Sequence, residues 1–194
     1  MDSQIHFSKR GDDSILSKPL TSNNFTINDS TFGYLFSALV SYQRRRTSGV
    51  QGLEQKLNQC GFNVGYKVVE LISLRNKTST RLNRISDALQ FVSTVCWQYL
   101  FGKNADSLDT SSENKNDFFI TDKNPLFNKY ISVPKDLGEL NCCAYCAGII
   151  HGILVSSGFN CEVTAYNNGD NPKSLGTIYL VSFAPEVMER EEEI

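Results

Sequence analysis

From Phe32 onward the apolar residues step at helical intervals. Phe32, Leu35, Phe36, Leu39 and Tyr42 recur three and four apart, the spacing that places side chains on one side of a helix. Asp29 or Ser30 offers an N-cap, and Arg44, Arg45 and Arg46 fall in the last turn, where cations suit the helix dipole. A second stripe, Val50, Leu53, Leu57 and Cys60, is predicted to stop at Gly61, a residue suited to the position just past a helix end. A third helix carries Val64, Val68, Leu71 and Ile72. The longest predicted helix holds Ile85, Leu89, Val92, Cys96 and Tyr99, with Trp97 beside the stripe and Gly102 as its stop.

After a polar loop at 103–117 the period changes. FFIT (118–121) and FNKYISV (127–133) mix aromatic and β-branched residues, as strands do. Asn141 caps a fifth helix that runs to about Ser157 and stops at Gly158. CEVTAY (161–166) and GTIYLVSF (176–183) are again strand-like, and Pro185 fits the first turn of a terminal helix. Residues 1–28, rich in Ser, Asn and Asp, form a loose arm; 29–194 form a single α+β domain.

Composition narrows the function classes. Net charge is −2, so no global pull toward nucleic acid exists. The start of the chain has no apolar signal segment, and no apolar run approaches the roughly 18 to 20 residues that cross a bilayer. The protein is expected in the cytoplasm, where thiols stay reduced. No P-loop, GxGxxG or GxSxG occurs, and the two histidines, His6 and His151, lie on the arm and on the apolar fifth helix. No enzymatic activity and no cofactor are expected.

LNCCAYCAGII (140–150) poses the sharpest chemical question. Cys143 and Cys146 have CxxC spacing, which suits a redox dithiol at an exposed helix start or half of a four-ligand metal site. No second CxxC or HxxxH exists, and His151 lies about 80° from Cys143 around the helix. The helix that follows is apolar nearly all round, the mark of a buried helix, in which free cysteine acts as a small hydrophobe. Packing is the leading reading; redox and metal are the alternatives. Arg75, Lys77, Arg81 and Arg84 form a basic stretch with no acid. It is either a solvated loop or a contact with anionic lipid, worth about 1 kcal/mol per cation near the surface.

The first helix carries more apolar surface than one core contact needs: Phe32, Tyr34, Leu35, Phe36, Leu39, Val40 and Tyr42. Such an excess means deep burial or an interface with another chain. With Val64 and Val68 added from the third helix, Phe32, Leu35, Phe36, Leu39 and Tyr42 form the candidate partner surface.

LEQKLNQCGFNVGYKVVELI (53–72), FGKNADSL (101–108), NPLFNKYISVP (124–134), LNCCAYCAGII and SGFNCEVTAY (157–166) together resemble the small α/β subunits of TRAPP, the transport protein particle. The resemblance is collinear over about residues 30 to 185 and is greatest to the subunit-five branch. It implies helices packed on one face of a four-stranded antiparallel sheet, an α/β plait. It implies pairing through first helices with the acylated small subunit and docking of the sedlin-type subunit. The particle it implies tethers vesicles and is a guanine-nucleotide exchange factor for a Rab GTPase in ER-to-Golgi and Golgi traffic. This chain would be its non-catalytic scaffold, peripheral on Golgi and ER-derived membranes. The acylated branch carries a cysteine where this chain has RNKTSTRLNR (75–84), so no acyl chain is expected here. The competing functions are a small-molecule-binding domain of related fold and a CxxC thiol oxidoreductase.

Overall fold

Each predicted helical stripe is buried in part and left exposed in part. The computed structural model describes residues 28–76, 81–133, 137–138, 140–168 and 176–193; the predicted arm, apart from Asn28, lies outside them. Helix α1 spans Asp29–Arg44. Its cap is Asn28, one residue earlier than expected, with Oδ1 accepting from Ser30 N at 3.1 Å. Phe32 and Phe36 stack on each other and meet Phe127 edge-on, so the aromatic side of α1 is anchored to the body of the chain.

The predicted break at Gly61 does not occur. A single helix, α2, runs from Val50 to Asn76. Gly61 and Gly65 lie inside it, against helix α6 (Ala144–Ser156), which brings its own Gly148 and Gly152. A methyl group on Gly61 would stand 2.0 Å from the Tyr145 carbonyl oxygen, and one on Gly148 would stand 2.0 Å from the Asn58 carbonyl oxygen. The two backbones touch, and only glycine permits that approach. These glycines serve contact, not termination, which is why the sequence signal misled.

Helix α3 (Ile85–Gln90) passes through a π-helical stretch, Phe91–Cys96, into α4 (Trp97–Phe101). A π turn holds one more residue than an α turn, so the residues after it are shifted around the axis. Trp97, predicted to lie beside the stripe, is fully buried, and Tyr99 is 39 % exposed instead. Gly102 ends the helix at φ +69°.

The predicted loop at 103–117 contains a strand, β1 (Ser107–Thr110), which pairs antiparallel with β2 (Asp117–Asp122). The predicted strand at 127–133 is instead the short helix α5 (Leu126–Lys129) and an extended segment outside the sheet. Strands β3 (Cys161–Asn167) and β4 (Thr177–Phe183) complete a four-stranded sheet of order β1-β2-β4-β3, antiparallel throughout. Ile120, Tyr179, Val181 and Val163 point to the buried side of the sheet, and α6 packs there along β3. Helices therefore cover one face, and β1 and β3 are the edges. Helix α7 (Pro185–Glu192) follows β4. Its Glu191 Oε2 accepts from Ile85 N at 2.8 Å, capping α3 from outside.

Candidate partner interface

Helix α1 has two faces of different fate. Phe36 is buried and Phe32 and Leu39 are half-buried, all on the side turned to the core. Gly33 lies on the same side, where an added methyl would meet the Tyr130 side chain at 3.1 Å. The other side carries Tyr34 (81 % exposed), Leu35 (71 %) and Tyr42 (52 %), with Ala38 between them. At about 100° per residue these four fall within one strip along the helix. A Leu and two Tyr side by side in solvent are more than scattered surface apolar residues. At the C-terminal end, Arg46 lies over the Tyr42 ring at 4.7 Å and donates to its hydroxyl. Gln43 Nε2 donates to Cys60 Sγ at 3.2 Å, which ties α1 to α2.

Of the sequence-predicted interface residues, Leu35 and Tyr42 are presented outward, Val64 is 37 % exposed, and Phe36 and Val68 belong to the core of the chain itself. Periodicity alone merged the two faces of α1, because apolar residues occupy both. Leu71 (38 % exposed), on the predicted stripe of the third helix, and Leu74 (68 %), outside it, are exposed on α2.

The cysteine cluster is resolved by burial. Cys142, Cys143 and Cys146 are buried, as is Tyr179. Desolvation pushes the Cys143 thiol up to about 11 and that of Cys142 to about 12; Cys146 is raised as well. A redox dithiol needs the opposite shift and an accessible sulfur, so these thiols pack rather than react. Among the described residues no cluster of three or more His, Cys, Asp or Glu is placed to hold a metal. His151 is half-buried, with its ring edge-on to Phe62 at 4.8 Å; burial lowers its pKa, partly offset by Glu162.

In the basic stretch, Arg75 lies over the Tyr99 ring and donates to its hydroxyl. Arg81 and Arg84 are exposed, and Lys77 lies outside the described residues. Among the described residues no helix is long and apolar enough to cross a membrane.

An apolar helix face turned to solvent, on an α+β body whose cysteines are sequestered, fits one class: a building block of an assembly. The comparisons give that class a family. Residues 32–184 match the model of the transport protein particle (TRAPP) component family, and the chain belongs to that family, on its subunit-five branch. It is 42 % identical over 177 residues to trafficking protein particle complex subunit 5 of Dictyostelium discoideum, covering 91 % of this chain and 95 % of that one. It is 35 % identical to the Homo sapiens subunit 5 over 94 % of each chain. It is 26 % identical to subunit 31 of Saccharomyces cerevisiae, over 84 % of this chain and 77 % of that one. A crystal structure of subunit 3 from Naegleria fowleri, covalently bound to palmitic acid, has the same fold: TM-score 0.70 at 16 % identity, covering 81 % of this chain and 95 % of that one. The chain is thus a subunit of the trafficking particle, with other TRAPP subunits as its partners.

Proposed function

We propose that this subunit is a non-catalytic scaffold in a vesicle-tethering particle that acts as guanine-nucleotide exchange factor for a Rab GTPase in ER-to-Golgi and Golgi traffic. The observation that carries the proposal is the outward strip of α1, Tyr34, Leu35, Ala38 and Tyr42. Leu35, at 71 % exposure, is surface that a partner chain would bury. The partner is the acylated small subunit, pairing through its own first helix, and the sedlin-type subunit docks elsewhere on this chain. The chain itself is not acylated: RNKTSTRLNR (75–84) has no cysteine. Its place is the cytoplasmic surface of Golgi and ER-derived membranes, held there through the complex, with Arg81 and Arg84 available to anionic headgroups.

Exchange requires groups that displace Mg²⁺ and loosen the loops around the nucleotide. The acidic tail is the one sequence feature suited to such a role, and Glu191 in it is committed to capping α3. The test is release of a fluorescent nucleotide from the GTPase, with the isolated chain and with the complete particle. The isolated chain is expected to leave the intrinsic rate unchanged, and the particle to accelerate it. Acceleration by the isolated chain would move it into the catalytic class.

A further inference from the structure

Beside the outer edge of β3 runs an open groove of about 620 Å³, floored by Ala144 and Ala147 of α6 and walled by Gln51, Gln55 and Asn58 of α2. The edge itself is a row of backbone groups. Asn168 N donates to Gly176 O and Ala184 N to Asn160 O, so the even-numbered residues of this stretch bond to β4. The odd-numbered ones face away, and Asn58 Nδ2 indeed reaches the Val163 carbonyl from outside at 3.2 Å. Val163 N–H and both backbone groups of Ala165 face the groove, and among the described residues no strand pairs with them. An edge that no described strand pairs with, and that one side-chain amide touches, is a template for another strand.

The opposite wall repeats at a matching interval. Gln51, Gln55 and Gln59 all line the groove, and residues four apart on a helix are about 6 Å apart along its axis. Same-side backbone groups of an extended chain recur every two residues, about 6.7 Å. A carboxamide both donates and accepts, so the three glutamines suit the second edge of a strand whose first edge is paired with β3. The lining contains the carboxylate of Glu54 and no Lys or Arg. Glu162 stands close enough to offset part of the burial that lowers the pKa of His151, a lining residue, and Lys56 is bonded to the rim at Gln59 (3.5 Å). On balance the groove disfavours acidic side chains.

We propose that the groove is a strand-addition site: an extended segment of a partner protein, neutral or basic and without acidic residues, displaces Asn58 Nδ2 from the Val163 carbonyl, pairs with β3 at Val163 and Ala165 and is held on its other side by Gln51, Gln55 and Gln59. Gln55 lies nine residues before Val64, about 180° around α2, so the site lies on the opposite side of that helix from Val64 and Leu71. Strand addition and pairing through α1 therefore need not compete.

The probe is an acetylated, amidated heptapeptide, Lys-Thr-Val-Thr-Val-Thr-Lys, titrated into the isotopically labelled full chain with amide exchange read by NMR. Saturating peptide is expected to slow exchange at Val163 and Ala165 at least tenfold, with no such change at Glu162 or Thr164. Methylating alternate peptide nitrogens, or replacing both lysines by glutamate, is expected to weaken binding at least tenfold. Gln55→Lys, at an exposed helix position, is expected to do the same while leaving the melting temperature unchanged. Ala165→Pro, whose missing N–H faces outward and whose ring also fixes φ at 165, should weaken binding equally with the β3–β4 amides still protected. The proposal is overturned by absence of binding at millimolar peptide, by equal binding of the methylated peptide, or by binding that leaves the Val163 and Ala165 amides unprotected. Protection that rises with protein concentration alone would also overturn it, by assigning the edge to a second copy of this chain.

Discussion

The Cα of Gly61 in α2 lies so close to Tyr145 in α6 that a β-carbon there would stand 2.0 Å from the Tyr145 carbonyl oxygen. Side-chain carbon does not approach oxygen that closely, so Gly61→Ala must drive the two helices apart along their most extensive contact. Overpacking of this kind costs about 1–3 kcal/mol, and more where the obstacle is backbone. Gly52 in the same helix is the control. A methyl there would meet only Thr47, at 3.8 Å, and replacing an unneeded helical glycine gains about 0.5–1 kcal/mol. Urea unfolding of the two variants is expected to give shifts of opposite sign.

The buried thiols are expected to make stability fall in alkali. Burial raises Cys96, Cys142 and Cys161 to about 12 and Cys143 to about 11, from an ordinary 9.0. Above pH 9 the unfolded chain loses these protons while the folded chain keeps them, so unfolding is favoured as pH rises. The contribution is complete below pH 9 and is lost progressively as pH climbs toward the folded values. Calorimetry between pH 7 and pH 10 (about the range before chemical damage) should show the melting temperature dropping only at the upper end. Serine variants at Cys142 and Cys143 should reduce that drop.

The same burial fixes reactivity. In the native state an alkylating reagent is expected to modify half-buried Cys60 first and to leave Cys143 and Cys146 untouched. Mass spectrometry after brief labelling reads this directly. Rapid labelling of both CxxC sulfurs would restore the redox reading.

Asp122 is buried at the end of β2, accepting from Lys103 Nζ and from Asn124 N at 3.0 Å. Lys103→Met removes the countercharge and leaves a carboxylate facing the core. Because Lys103 is 40 % exposed, solvent already screens the pair, and the expected loss is about 2 kcal/mol, below that of a fully buried pair. Lys103→Arg should restore most of it in denaturant titrations.

What could be read from the sequence follows from how each element is stabilised. Helix α6 was legible because Ile149, Ile150, Ile153 and Leu154 leave it no polar side, and the alternation in β4 was legible because it is the second strand from the β3 edge with one face wholly buried. Strand β1 was not: Ser-Leu-Asp-Thr at a sheet edge is held by backbone pairing to β2 and carries no buried pattern. The segment from Phe127 has strand-like composition because aromatic anchoring, here against Phe32 and Phe36, imitates it in a short helix. Gly61 was mistaken for a stop because a contact glycine and a terminal glycine look alike one at a time. The pairing of Gly61 and Gly65 with Gly148 and Gly152, four apart on each helix, was the available signal. The π-helical stretch before Trp97 had none.

At the candidate interface the sequence showed the surplus on α1 but could not divide it. Phe36 and Leu35 are neighbours, one buried against Phe127 and Tyr145, the other turned to solvent. The inward side is the one where Gly33 lies close to Tyr130 and Phe36 meets Phe127, contacts between distant parts of the chain.

That division gives the measurement bearing most directly on the scaffold reading. Leu35→Asp is co-expressed with the acylated TRAPP small subunit and the pair is purified through the partner's tag. Since Leu35 is exposed, the variant alone is expected to melt within a degree or two of wild type, as surface substitutions do (about ±0.5 kcal/mol). Placing an unpaired charge in an apolar interface costs on the order of several kcal/mol, so no heterodimer is expected to be recovered. Recovery at wild-type yield, with the variant folded, would contradict the account and place the interface elsewhere.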